Sequence, residues 1–209
     1  MPSSVARGSG STPWIFRDAW AMETNQSLPA RPDKAEILDL MRRYFDLMRQ
    51  YMDGTTSSSL FEVRLGREKF GGETHAYSVA YAENEIDAVV SHADKIIFNS
   101  IGQLERYGDR AAGQPRGLRV NPQVRSSSFD LADPARPFSR LGEADPARIE
   151  SVMSRISGFM IHNNCENGDF GLFDRMLATI EERFGCLLER VSWVSLGGGI
   201  HFTGEGYPV

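Results

Sequence analysis

Hydrophobic positions along the chain follow two different spacings. From Lys34 onward, apolar side chains recur every three or four residues up to a turn at Asp53 and Gly54, which predicts an amphipathic helix. Beyond that turn, short apolar runs alternate with helical spacing. The runs predict strands at 55–59 (strand or loop), 75–81, 95–98, 117–120, 158–162 and 191–196, and the stretches between them predict helices at 60–69, 83–92, 101–107, 146–155 and 170–184.

This alternation predicts an α/β fold with parallel strands, because a parallel pair needs a helical crossover. No nucleotide-type glycine fingerprint follows the first strand, which favours a (β/α) barrel over a doubly wound sheet. Only about six strand–helix units are present, and 209 residues fall short of the ~250 of a typical eight-unit barrel. We therefore expect an incomplete barrel of the TIM type.

Composition narrows the class of protein further. Apolar residues make up 41% of the chain and charged residues 24%, which is typical of a globular protein. A net charge of −5 argues against nucleic acid as a partner, and no apolar run reaches the ~18 residues of a membrane-spanning helix. Two cysteines and no signal peptide make the cytoplasm the expected location. Lysine is scarce, with only Lys34, Lys69 and Lys95.

Small and polar residues follow the predicted strands, at the edge where barrel enzymes carry their active sites. The run Gly197, Gly198 and Gly199 follows the last strand, and successive glycine amides are able to wrap a phosphate. A simple flexible turn is the alternative, since a triple glycine alone is a weak signal. His162 emerges from a buried strand, either as a functional group or as a hydrogen-bonded histidine near the core.

The residues near His162 suggest two further kinds of site. A zinc site formed with Cys165 and His201 is conceivable, but these residues lack the paired spacing of known zinc motifs, so we expect no metal. The acidic residues Glu166, Asp169 and Glu205 could select a cationic substrate, with solvated loop charges as the alternative.

Six segments between about residue 45 and the end of the chain form a recognisable set. They are DGTTSSSLFE at 53–62, GLRVNP at 117–122, SSSFDLADPAR at 126–136, SRLG at 139–142, HNNCEN at 162–167 and VSLGGGIHFT at 194–203. Together these segments resemble the carboxynorspermidine (carboxyspermidine) decarboxylase family.

The resemblance implies an alanine-racemase-like barrel that uses pyridoxal 5'-phosphate to remove the α-carboxylate of a carboxylated polyamine, giving norspermidine or spermidine. It also implies a homodimer. By the same resemblance, Gly197, Gly198 and Gly199 hold the cofactor phosphate and His162 lies against the pyridoxal ring. Cys165 is placed near the phosphate and Arg119 on the cofactor side of the barrel.

Two departures from the family pattern bear on activity. The family carries its Schiff-base lysine on a strand just before the helix that here contains 45–50, and none of Lys34, Lys69 and Lys95 has that position. The family's later segment, with the acid facing the pyridine nitrogen and a C-terminal β domain, also has no counterpart here. We expect 1–44 to be a divergent arm and helix start, and 45–209 to be a partial cofactor-binding barrel, truncated relative to the family at both ends.

These features leave more than one function open. In the first interpretation, the chain is a piece of the decarboxylase that is inactive on its own. In the second, it is a non-catalytic remnant that binds a phosphate ligand or associates with a homologue through its open barrel edges. A rearranged or misread gene start before residue 45 is a third interpretation.

Overall fold

The computed structural model describes residues 33–125, 133–164 and 167–199. The chain divides into two compact units, Met1–Leu47 and Met48–Val209. The described part of the first unit is almost entirely helical. Helix α1 covers Lys34–Met48 and none of its side chains is buried. The amphipathic spacing thus predicted this helix correctly, although the helix ends five residues before the predicted turn.

The second unit contains all six strands in alternation with helices. In chain order the elements are β1 Gly54–Ser57, α2 Leu60–Leu65, a π-helical turn Gly66–Phe70, β2 Glu73–Ser78, α3 Ile86–His92, β3 Lys95–Phe98, α4 Ile101–Tyr107, β4 Arg116–Arg119, α5 Pro146–Glu150, a 3-10 turn Met153–Arg155, β5 Gly158–Met160, α6 Phe170–Leu188 and β6 Trp193–Ser195.

Apart from α3, the helices described in this unit start at a side-chain cap. Ser100 Oγ accepts a hydrogen bond from the Gln103 amide at the start of α4. Asp145 caps α5 in the same way. The predicted helix at 60–69 is in fact α2 followed by a π-helical turn, because the last five residues widen to place Phe70 in the core.

The six strands form one parallel sheet in the order β1-β2-β3-β4-β5-β6. Each strand pairs with the next in the chain, for example Ile96 with Arg116 and Leu118 with Phe159. Sequential order without a reversal, combined with right-handed crossovers, puts the helices that connect the strands on one face of the sheet. This is the barrel arrangement rather than the doubly wound one. The prediction of an incomplete (β/α) barrel is confirmed.

The outer face of the sheet packs against the helices and forms the main core. Ile96, Phe98, Leu118, Phe159 and Ile161 alternate along the strands and are 0–1% exposed. Among the described strands, β1 pairs only with β2 and β6 only with β5, so the sheet has two open edges.

The inner face carries the intervening residues. Tyr77, Ile97, Met160 and Trp193 form a second, small cluster there. The indole of Trp193 lies across two neighbouring strands at glycines, since a Cβ at Gly158 would be 2.1 Å from the indole and one at Gly117 would be 2.4 Å from it. Because neither glycine has a side chain, the indole of Trp193 packs directly on the two strands at the amino-terminal end of the inner face.

Candidate functional site

Inner-face positions bring polar side chains together at the carboxyl ends of the strands. Period-two alternation runs from Tyr77 on β2 through Asn99 beyond β3 and Arg119 on β4 to His162 beyond β5. Parallel strands end at the same edge of the sheet, so residues far apart in sequence meet there. Of the predicted site residues, Arg119, His162 and the glycine turn meet in this way.

His162 lies between the sheet and the glycine turn. Its Nδ1 accepts a hydrogen bond from the Gly198 amide at 3.3 Å, so in the neutral ring the proton is on Nε2. Burial lowers the pKa of His162 below its ordinary 6.5, and the nearby Arg119 charge lowers it further. The imidazole is therefore held in its uncharged form, and its Nδ1 atom is hydrogen-bonded to the glycine turn.

Arg119 is a buried cation at the end of β4. It is 3% exposed, and its guanidinium donates to the Tyr77 hydroxyl and, at 2.8 Å, to the main-chain oxygen of His162. Across the described ranges, 33–125, 133–164 and 167–199, no carboxylate pairs with it. Burying a charge without an opposite charge is costly, because neutral oxygens replace water incompletely. The arrangement favours an anion at this edge of the sheet.

The glycine turn has a backbone conformation that residues with a side chain rarely adopt. Gly197 has φ 71° and Gly199 has φ 94°, both in the left-handed region. A Cβ at Gly197 would lie 2.4 Å from Nδ1 of His162. At Gly198, by contrast, a Cβ would meet nothing within 4 Å. Glycine at 197 thus allows the turn to pack directly on the imidazole.

A pair of buried asparagines anchors this turn from the loop after β5. The Asn167 amide donates to the Gly199 carbonyl at 3.0 Å, and the Asn167 side chain donates to Asn164 Oδ1 at 3.2 Å. Both side chains are at most 1% exposed. Nδ2 of Asn164 is buried and has no hydrogen-bond acceptor among the described residues.

Several predicted site residues fall outside the described ranges. Cys165 is one of them, as are Glu166, His201 and Glu205, so their places in the site stay predictions. Asp169 is described, and its Oδ1 accepts from the Leu172 amide and caps α6. Its part in selecting a cationic substrate stays a prediction.

For metal binding and membrane insertion, the described part of the chain gives two findings. It contains no group of three or more His, Cys, Asp and Glu side chains that could hold a metal ion. Of the conceivable zinc ligands it contains only His162. No helix within these residues is long and apolar enough to cross a membrane.

Of the lysines in the second unit, neither Lys69 nor Lys95 lies at the carboxyl ends of the strands. Lys95 begins β3 and pairs with Glu73 at 2.7 Å, with its ammonium 5.8 Å from the centre of the Trp193 ring. Lys69 is exposed on the π-helical turn, and Lys34 is exposed at the first position of α1. Lys95 is thus at the opposite end of its strand, as predicted.

Tyr77 and Asn99 are polar members of the site that sequence reasoning missed. The Tyr77 hydroxyl donates to Asn99 Oδ1 at 3.1 Å and accepts from Arg119. A usable signal existed, since both residues occupy inner-face positions that follow from the period-two alternation. Tyr77 also borders a cleft of about 220 Å³ at the ends of β1 and β2, lined by Ser57, Ser58, Ser59, Ser78 and Tyr81.

Comparison with known proteins agrees with this fold. The chain is 67% identical over 165 residues to a carboxynorspermidine/carboxyspermidine decarboxylase from Herminiimonas arsenicoxydans, a match of 79% of this chain and 45% of that protein. It is 37% identical over 167 residues to a carboxyaminopropylagmatine decarboxylase from Synechocystis sp., covering 79% and 43%. No family model matches the chain.

Solved structures give the same result. The crystal structure of carboxynorspermidine decarboxylase from Campylobacter jejuni, complexed with norspermidine, superimposes with a TM-score of 0.68 at 30% identity, over 79% of this chain and 42% of that one. A diaminopimelate decarboxylase gives 0.63 at 17% identity, over 80% and 42%, which shows the fold alone. The chain spans less than half the length of these relatives.

The fold is thus that of the barrel of the alanine-racemase-like decarboxylases, a pyridoxal-phosphate-dependent class. Over the matched 79% of its length, the chain is a homologue of the carboxynorspermidine/carboxyspermidine decarboxylases. The family resemblance stated from the sequence motifs is confirmed.

Proposed function

We propose that this chain forms the part of a carboxynorspermidine/carboxyspermidine decarboxylase that holds pyridoxal 5'-phosphate, and that a carboxylated polyamine is the substrate of the complete site. The observation that carries the proposal is the buried cation Arg119, which has no described carboxylate partner and lies beside His162 and the glycine turn. An anionic, flat cofactor matches that combination of charge and surface.

The glycine turn fits the phosphate group. Its left-handed residues Gly197 and Gly199 leave the main chain bare, and the space above Gly198 is open. Backbone amides in such a turn bind phosphate oxygens without a side chain in the way. Cys165 is expected on the phosphate side by resemblance.

His162 is suited to stack on the pyridoxal ring of the cofactor. Because burial and Arg119 keep the pKa of His162 low, an uncharged imidazole faces the site. A neutral ring stacks on an aromatic ring without the cost of burying a second cation next to Arg119. The Gly198 amide on Nδ1 fixes the orientation of the imidazole.

Within the reaction, the residues of this chain bind and orient. The bound cofactor would supply an electron-accepting ring for the electron pair left by CO₂. The glycine turn would hold the phosphate, His162 would fix the plane of the ring, and Arg119 would offset its negative charge. These contributions are positioning and electrostatic, and none of them makes or breaks a bond.

Neither Lys69 nor Lys95 lies at a position from which a lysine could link the cofactor covalently. Lys95 is ion-paired at the amino-terminal end of β3, and Lys69 is exposed on the helix side. This favours a second candidate function, in which these 209 residues bind the phosphate ligand, or associate with a homologue, without catalysis. We expect decarboxylation by the 209 residues alone to be absent or very low.

Borohydride reduction in the presence of pyridoxal phosphate, followed by peptide mapping, separates the two functions. Reduction fixes any covalent link between a lysine and the cofactor. Binding without a stable, saturable adduct at Lys34, Lys69 or Lys95 supports a binding role. A stoichiometric adduct on Lys34, prevented by excess inorganic phosphate, would show that a replacement lysine is used and would support an enzyme.

Three further expectations concern partners and location. A homodimer follows from the resemblance alone. The net charge of −5 is compatible with a polycationic substrate and does not favour nucleic acid. A cytoplasmic location rests on the low cysteine count.

A further inference from the structure

A chain of hydrogen bonds on the inner face leads from the loop after β4 to His162. Asn99 is 4% exposed, its Nδ2 donates to the Arg140 carbonyl at 2.8 Å, and its Oδ1 accepts from the Gly142 amide at 3.1 Å. These two bonds determine which end of the carboxamide is oxygen. The Asn99 side chain therefore presents an acceptor to the Tyr77 hydroxyl.

The orientation of Asn99 sets the direction of the Tyr77 hydroxyl. Since the phenol proton goes to Asn99 Oδ1, the oxygen lone pairs remain for the Arg119 guanidinium. Burial raises the pKa of Tyr77, against a smaller opposing effect of Arg119, so the phenol stays neutral. The hydroxyl thus holds Arg119 without neutralising it.

Among the described residues, the guanidinium of Arg119 has two hydrogen-bond acceptors and one aromatic ring beside it. One nitrogen is held by Tyr77, another donates to the His162 carbonyl at 2.8 Å, and the guanidinium lies 5.3 Å from the centre of the Tyr77 ring. Without the hydroxyl, one buried N–H would lose its acceptor, and the cation would shift to find another.

We propose that Tyr77, oriented by Asn99, is a positioning residue that holds the Arg119 guanidinium beside His162 and so sets the affinity of the site for the anionic cofactor. This inference rests on the function proposed above. It assigns a role in the site to the Tyr77 hydroxyl in particular, in addition to the packing of its ring in the inner cluster.

The variant Tyr77→Phe keeps the ring and removes only the hydroxyl. Tyr107→Phe is its matched control, because Tyr107 is 4% exposed, donates its hydroxyl to a carbonyl at 3.4 Å and has the Arg106 guanidinium 5.1 Å from its ring. Tyr107 lies on α4, in the outer core. Thermal unfolding of both variants, followed by circular dichroism, identifies conditions under which each is folded.

The first readout is equilibrium dialysis of pyridoxal phosphate against the full chain. We expect Tyr77→Phe to weaken binding roughly tenfold, the effect of removing one hydrogen bond to a charged group, and Tyr107→Phe to leave it unchanged. In an Arg119→Met background, Tyr77→Phe should have no further effect, because it acts through Arg119. Wild-type affinity in Tyr77→Phe, or an equal loss in both backgrounds, would overturn the inference.

The second readout needs no cofactor. In the ¹⁵N-histidine spectrum of the free chain, the His162 ring signals, identified by their loss in His162→Gln, should shift in Tyr77→Phe and remain in place in Tyr107→Phe. If the wild-type chain does not bind pyridoxal phosphate, the proposed function fails, and the spectrum alone decides the positioning role. Unmoved His162 signals in Tyr77→Phe would then refute it.

Discussion

The amide of Gly198 donates a hydrogen bond to Nδ1 of His162 across 3.3 Å, joining the turn after β6 to the end of β5. The residues are 36 positions apart in the chain, and the parallel pairing of β5 with β6 brings them together. The turn approaches this closely because its first residue, Gly197, has no side chain. The glycine turn and the His162 imidazole are therefore one packed unit.

Gly197→Ala tests this packing. The added Cβ would lie 2.4 Å from His162 Nδ1, at a φ of 71° that costs an alanine roughly 1–2 kcal/mol. We expect the free energy of unfolding to fall by about that amount and pyridoxal phosphate binding to weaken. Chemical denaturation and equilibrium dialysis measure the two effects.

The control for that variant is Gly185→Ala in the last turn of α6, where an added Cβ meets nothing within 4 Å. It should be stabilising by roughly 0.4–1 kcal/mol, because alanine restricts the unfolded chain and favours the helix. If Gly197→Ala behaved like Gly185→Ala, the turn would not pack on His162 as described.

Acid should destabilise the fold partly through His162. Burial lowers its pKa in the folded protein below the ordinary 6.5, so between the folded pKa and 6.5 the unfolded chain binds more protons. Stability therefore decreases as the pH falls through 6.5 toward the folded pKa. We expect the difference in unfolding free energy between wild type and His162→Gln to decrease over that range. A difference that stays constant or grows on acidification would contradict the burial of an uncharged imidazole.

Because Trp193 packs on Gly158, we expect substitution of this second glycine, away from the site, to lower the stability of the fold. Gly158→Ala would place a Cβ 2.1 Å from the indole, and overpacking of this kind costs roughly 1–3 kcal/mol. Gly113→Ala, where a Cβ meets nothing within 4 Å, is the control. Urea denaturation should show a loss for Gly158→Ala only. A combined Gly158→Ala and Trp193→Leu variant should recover part of the loss, and its failure to do so would assign the cost to the backbone.

The positions of the lysines predict that the chain has no decarboxylase turnover. Supplied with pyridoxal phosphate and carboxynorspermidine, the purified 209-residue chain should release no CO₂ above background, because Lys95 is ion-paired with Glu73 at the far end of its strand. Lys95→Met should therefore not change this result. Measurable decarboxylation that requires one of the three lysines would contradict the prediction.

Local patterns predicted the order of the elements well because strand-like runs and helical spacing alternate along the chain. The bounds of β3, Lys95–Phe98, agree with the prediction at both ends. Errors occurred at the ends of other elements, since the strand predicted at 75–81 is β2 Glu73–Ser78. The predicted helix at 146–155 is α5 and then a 3-10 turn, since the backbone tightens before Ile156. Propensity carries little information about such endings.

The site was predicted only in part, for a physical reason. Motif resemblance identified His162 and Arg119, but the partner of Arg119 is a neutral tyrosine on a strand two positions away in the sheet. Such a contact depends on sheet order, and single-strand patterns do not contain it. Trp193 packing on Gly117 and Gly158 likewise required the register of three adjacent strands.

The central claim is that the glycine turn, His162 and Arg119 together hold the phosphate end and ring of pyridoxal phosphate. A ³¹P NMR titration of pyridoxal phosphate with the purified chain measures this directly. We predict a shifted or broadened phosphate resonance that saturates at one equivalent of protein and reverts when inorganic phosphate is added in excess. An unchanged resonance at one equivalent and beyond would contradict the account.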